Sequence, residues 1–240
     1  MSDQLSVVLI QLDSLNRHFL PCYGNDWVQA PNLYAFAQRS AVFDRHYVGS
    51  LPCMPARREI CAGTEEWWWR GWGPLEPWDQ PLAYLAARQG AVTQLITDHY
   101  HLWEWGSHSY PYDYAGCLFI RGHEYDNWRT DPVREVPPWA EQMVARMGDT
   151  AQIYLRNVQD FRCEDDFFAP RVMTGTAQWL DRNRNQEHFF CMSIVSTCTS
   201  RFMFPNRTAR CTPPTTTGAT ARGRAMAAST KVLLRLMRTK

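Results

Sequence analysis

Residues 6–12 (SVVLIQL) form a short apolar run rich in β-branched side chains, and it stops at Asp13-Ser14, a turn-forming pair. The pattern predicts a buried strand whose carboxyl end presents Asp13. Residues 31–40 (PNLYAFAQRS) open with Pro and set Leu33, Phe36 and Ala37 on one face, so a helix is expected. Residues 41–46 resemble a second strand. Residues 49–52 read as a loop, and Pro55 suits the first turn of a following helix. A helix over 81–88 is stopped by Gly90, and 91–97 is another buried strand. Residues 164–183 are helical by periodicity despite Pro170 and Gly175, and an apolar run starts at Phe189-Phe190. Strands alternating with helices predict an α/β fold with a mainly parallel sheet flanked by helices. Sites in such sheets form at the carboxyl ends of strands, so Asp13 and the 97–101 cluster are expected to face one pocket.

The composition fits an ordinary globular protein: 240 residues, 45% hydrophobic and 20% charged, with a formal net charge of +1. That balance favours neither nucleic acid nor membrane as a partner. The start, Met-Ser-Asp-Gln, lacks the features of a secretion signal, and the run over 7–12 is too short to span a bilayer. A cytoplasmic protein is expected. Its eight cysteines read as free thiols, and none forms a Cys-x-x-Cys pair that would mark structural zinc.

The average conceals a break. All 24 acids precede His188, and the remaining 53 residues carry nine Lys or Arg and no acid. The arithmetic gives 16 − 24 = −8 before the break and +9 after it, so two kinds of sequence meet near residue 190. Residues 212–220 (TPPTTTGAT) are low in complexity and are expected to be unpacked.

The sharpest local chemistry is Cys53-Met54-Pro55-Ala56-Arg57. A Cys just before a helix lies at its positive end, and Arg57, one turn on, offers a fixed fork of donors to a tetrahedral anion. A loop Cys near a surface Arg is the plainer reading. His99 and His101, in Thr97-Asp98-His99-Tyr100-His101, are candidates for anion binding or proton transfer; they could also be two hydrogen-bonded loop residues. Trp67, Trp68, Trp69, Trp72 and Trp78 are dense enough to stack on sugar rings, although packing beneath the sheet is the favoured reading. Asp113, Arg121, Asp126 and Arg129 read as a polar loop beside the pocket. Asn206-Arg207-Thr208 fits a glycosylation acceptor that no secretion signal supports.

Cys-x-Pro-x-Arg resembles the signature of the sulfatases, in the alkaline phosphatase superfamily. The likeness extends to VLIQLDSLNRHFLPCYG over 8–24, APNL over 30–33 and FDRHYVGSLPCMPARREICAG over 43–63, and it spans residues 5–190. It implies an alkaline-phosphatase-like α/β domain over 1–190, incomplete at the C-terminus. It implies a sulfuric ester hydrolase in which Cys53, oxidised to formylglycine, is both nucleophile and metal ligand. Asp13 is the other implied ligand of a divalent metal, Ca²⁺ or Mn²⁺, and Arg57 holds the formylglycine. His101 matches the family's Lys-x-His histidine, and His99 replaces its lysine without the fixed charge. Leu12 stands where many relatives carry a second Asp. The implied partners are a small sulfate or phosphonate ester and a formylglycine-generating or equivalent maturation enzyme, with no nucleic acid and no membrane. The alternatives are a phosphonate monoester or phosphodiester hydrolase, or a non-catalytic truncated product.

The stretch 191–240 departs from that pattern. Back-translated and shifted by two bases, codons from 191 onward permit His-Val-Asp-Ser-Phe-Asp-Val-His-Glu-Pro, close to the segment the family carries after a Phe-Phe strand. The tail is therefore expected to be out-of-frame, disordered, and to leave the activity impaired. A true basic tail that binds an acidic surface is the alternative.

Overall fold

A computed structural model describes residues 5–65, 68–104 and 109–196. Trp67, the 212–220 stretch, Asn206-Arg207-Thr208 and nearly all of the 191–240 tail lie outside the described residues.

Four strands form one parallel sheet: β1 (Val7–Leu12), β2 (Val92–Thr97), β3 (Gly116–Phe119) and β4 (Phe189–Val195), in the order β1-β4-β2-β3. Every pairing is parallel, so all four carboxyl ends share one edge. β4 runs between β1 and β2, and each of its residues is buried. Its alternation explains why: Phe189, Cys191 and Val195 join one apolar cluster, and Phe190, Met192 and Ile194 join the other. The break in composition near residue 190 thus falls inside a central strand that continues to Val195.

Helices cover both faces. α1 (Pro31–Ala37), α2 (Cys53–Ala62) and α3 (Leu82–Arg88) precede β2; α4 (Glu141–Met147), α5 (Asp149–Val158) and α6 (Phe168–Arg182) lie between β3 and β4. Tyr154 and Val158 of α5 and Phe168, Val172, Trp179 and Leu180 of α6 pack on one face with Ile96 and Phe189. Met54 and Ala83, from α2 and α3, meet Leu95, Phe190 and Met192 on the other. Gly175 lets α6 approach closely: a Cβ there would lie 2.8 Å from Leu118 Cδ2.

The structure corrects several expectations. Residues 41–46 form no strand. An extended run needs a partner for its backbone groups, and here side chains supply it: Arg17 donates to the Asp44 carbonyl at 2.6 Å and Tyr23 to the Phe43 carbonyl at 2.9 Å. The expected helix forms as α1, and its Leu33 and Phe36 are exposed. Trp68, Trp69 and Trp78 do not pack beneath the sheet; they are 76%, 67% and 66% exposed. Buried Arg58 donates to the carbonyls of Arg70, Gly71, Gly73 and Pro74, and the Arg70–Asp79 pair fixes the segment between them. Cys22, Cys53, Cys61, Cys117 and Cys191 are free thiols, but Cys163 is disulfide-bonded. Among the described residues no helix is long and apolar enough to cross a membrane.

Candidate active site

Residues at the carboxyl ends of β1 and β2 meet the amino end of α2, and the end of β4 is tied to them. Asp13 follows β1, and its N–H continues the ladder by donating to the Val195 carbonyl at 2.8 Å. Ser14 then turns the chain away at φ +57°. Asp98 and His99 follow β2, and Ser196 follows β4. The Ser196 N–H donates to Asp98 Oδ1 at 2.9 Å, tying two strand ends together. α2 begins at Cys53 itself, so its first turn places Cys53 and Arg57 on one side.

Asp13, Cys53 and His99 offer one carboxylate oxygen, one sulfur and one ring nitrogen, all within 4.8 Å of one another. Arg57 Nη2 donates to Asp13 Oδ2 at 2.8 Å, and Ser14 Oγ donates to Asp13 Oδ1 at 2.9 Å. The Arg57 Nε–H is buried without a partner. A donor left bare in that position is unusual and fits an anion that would accept from it.

Burial pushes the Cys53 thiol above its ordinary value, and Asp13 adds to that, outweighing the attraction of Arg57. The thiolate expected at a helix amino end is therefore disfavoured. His99 Nδ1 pairs with Ser196 Oγ at 2.9 Å, while Nε2 is buried with no partner. Burial holds the His99 pKa well below the ordinary imidazole value, and the charges of Arg57, His101 and His123 act in the same direction. His99 is thus a neutral imidazole, the form that binds cations. Asp98, fully buried, is pushed up to about 7 by desolvation.

His101 lies beside this cluster, 5.3 Å from His99 between ring centroids. Its Nδ1 faces Glu104 at 2.6 Å and its Nε2 faces Glu124 at 3.0 Å. Burial alone would lower its pKa, but bonding to Glu124 and Glu104 raises it above the ordinary value. Trp72 meets the same ring edge-on at 4.8 Å and places its indole N–H 3.4 Å from Glu104. Arg121 and Asp126 pair with each other, whereas Arg129 pairs with exposed Asp160. Sequence reasoning missed Glu104, Glu124 and Ser196. The first two have a sequence signal: acids beside His101 and within the Arg121–Asp126 loop.

The family model described as Sulfatase matches residues 6–231, running past the break in composition. A choline-sulfatase of Rhizobium meliloti (strain 1021) is 41% identical over 58 residues, which are 24% of this chain and 11% of that protein. Among solved structures, the phosphonate monoester hydrolase of Agrobacterium radiobacter superposes with a TM-score of 0.54 at 18% identity, covering 80% of this chain and 40% of that one. BT4656, solved with its substrate D-glucosamine-2-N,6-O-disulfate, gives 0.54 at 17% identity, covering 83% and 36%. The chain therefore spans about two fifths of these solved chains and about a tenth of the choline-sulfatase.

Proposed function

Because the chain belongs to the sulfatase family, we propose that its site is built to hydrolyse sulfuric esters through residue 53, oxidised from cysteine to formylglycine, and one divalent cation, with an activity that the 191–240 tail leaves impaired. The observation that carries this reading is the convergence of Asp13, Cys53 and His99 within 4.8 Å, beside Arg57.

The donor set fits a cation. It joins a carboxylate, a neutral imidazole whose Nε2 is buried without a partner, and residue 53. The nitrogen favours Mn²⁺ over Ca²⁺, which prefers oxygen alone. A cation there would polarise the ester oxygens and lower the pKa of the attacking hydroxyl. Oxidised to formylglycine, residue 53 would supply an oxygen nucleophile where the thiol stands. The chain's own side chains do the rest. Arg57 holds Asp13 and offers its free Nε–H to the ester. Ser196 fixes the His99 ring through Nδ1 and leaves Nε2 available. His101 stands beside them with a carboxylate on each ring nitrogen, a cationic neighbour to the site rather than a free proton donor.

The full chain, produced together with a formylglycine-generating enzyme, should release 4-nitrophenol from the aryl sulfate faster than from an aryl phosphonate ester. The reverse order would favour the phosphonate reading, and release from neither, with residue 53 shown by mass spectrometry to be formylglycine, would favour the non-catalytic truncated product. Manganese binding gives a readout that needs no turnover. Followed by electron paramagnetic resonance, His99→Gln should weaken Mn²⁺ binding by about tenfold or more, while His101→Gln should leave it within about twofold.

A further inference from the structure

We propose that Glu124 is a positioning residue whose carboxylate fixes the ring of His101 beside the Asp13–Cys53–His99 cluster. The inference rests on the hydrolase reading for what His101 does, but not for how its ring is held.

An imidazole held at one nitrogen can still turn about its other side-chain torsion. Held at both, it is locked, and His101 meets an acceptor at each: Glu104 Oε2 at Nδ1 and Glu124 Oε2 at Nε2. The two acids differ in setting. The Glu104 side chain is 37% exposed, within reach of water, whereas that of Glu124 is 11% exposed. Withdrawing a carboxylate from water is costly unless its partners are well placed.

The backbone beneath Glu124 is strained and firmly held. Its φ is +50°, and the other non-glycine residue with positive φ among the described residues is Ser14, next to Asp13. Such strain persists only where the surroundings over-determine it, and it gathers at functional sites. Here the surroundings are specific. Arg121 grips both oxygens of Asp126 at 2.7 and 2.6 Å, and the Gly122 N–H donates to Asp126 Oδ2 at 2.7 Å. Buried Asn157 Nδ2 donates to the Gly122 and Asp126 carbonyls at 3.0 and 2.8 Å. Gly122 sits at φ +106°, where a Cβ would come within 2.8 Å of the Trp128 ring. Arg121 and Asp126, two of the four loop residues read from the sequence as pocket polarity, are thus the frame of a turn that carries Glu124 inward.

The test is nitrogen-resolved NMR on the full chain labelled with ¹⁵N-histidine, the His101 signals being assigned with His101→Gln. The folded protein should show a slowly exchanging Nε2–H resonance for His101. Glu124→Ala should abolish it, and Glu124→Gln, whose amide oxygen still accepts, should retain it, with unchanged circular dichroism in both. Absence of the resonance from the unsubstituted protein, or its survival in folded Glu124→Ala, would overturn the proposal. On aryl sulfate, Glu124→Ala should lower kcat by about tenfold or more with KM within about twofold, because a ring released from Glu124 no longer holds its place beside the cluster. An unsubstituted chain that turns over no ester counts against the hydrolase reading, and the NMR result still decides this one.

Discussion

Arg57→Ala is expected to destabilise the fold by about 3 kcal/mol, the lower end of what removing one partner of a buried ion pair costs. Arg57 and Asp13 meet at 2.8 Å with side chains 4% and 12% exposed. Without the guanidinium, the described residues leave Asp13 the Ser14 hydroxyl as its hydrogen-bond donor. The carboxylate then stands in a site from which most water is excluded. Because the penalty comes from the charge left behind, Asp13→Leu in the Arg57→Met background should recover much of the loss. Urea unfolding at constant slope measures both effects, since a shift in midpoint without a change in slope is a change in stability. An Arg57→Ala chain that unfolds within about 0.5 kcal/mol of the original would show that Asp13 is already well solvated.

The parts of the site that lay close together in sequence were legible before the structure. The run ending at Asp13 became β1, and the Cys53–Arg57 motif opened α2, because continuous apolar runs and helix starts are local signals. Where the decisive partner is distant, local pattern failed. Residues 41–46 carry a strand-like run, but among the described residues no strand pairs with them, and side chains from 17 and 23 bond their carbonyls instead. The short β3 went unread because four residues between aromatic loops give little periodicity. α5 did leave a signal in Ala151, Tyr154, Leu155 and Val158, all buried at helical spacing. The tryptophans show that density alone says nothing about which side of the chain faces water. Glu124 belongs to another class: only a left-handed turn, held by residues at 121, 126 and 157, brings it to His101.

Cys53→Ala should lower ester hydrolysis by at least about 10⁴-fold in kcat, the scale on which loss of a covalent nucleophile is felt. The stability cost should stay near 1 kcal/mol, because the side chain is small and only partly buried. The electrostatics of the site make this a test of chemistry as well as of position. Burial and the Asp13 carboxylate both oppose ionisation of the Cys53 thiol, and the attraction of Arg57 does not offset them. An unmodified Cys53 is therefore a poor thiolate, and it should react with iodoacetamide more slowly at pH 7 than an exposed thiol. If residue 53 attacks an ester, it does so as an oxygen. Conversion of the side chain from CH₂SH to an aldehyde is an oxidation whose oxidant the maturation enzyme must bring; the residue gives up H₂S, gains one oxygen atom and leaves the peptide about 18 Da lighter. Mass spectrometry of the peptide, taken with the rate, separates the possibilities. Turnover that tracks the lighter peptide supports the oxidised residue as nucleophile. Turnover by protein whose Cys53 remains entirely a thiol, or by Cys53→Ala, would place the nucleophile elsewhere and leave the Asp13–His99 pair as a metal site without its covalent partner.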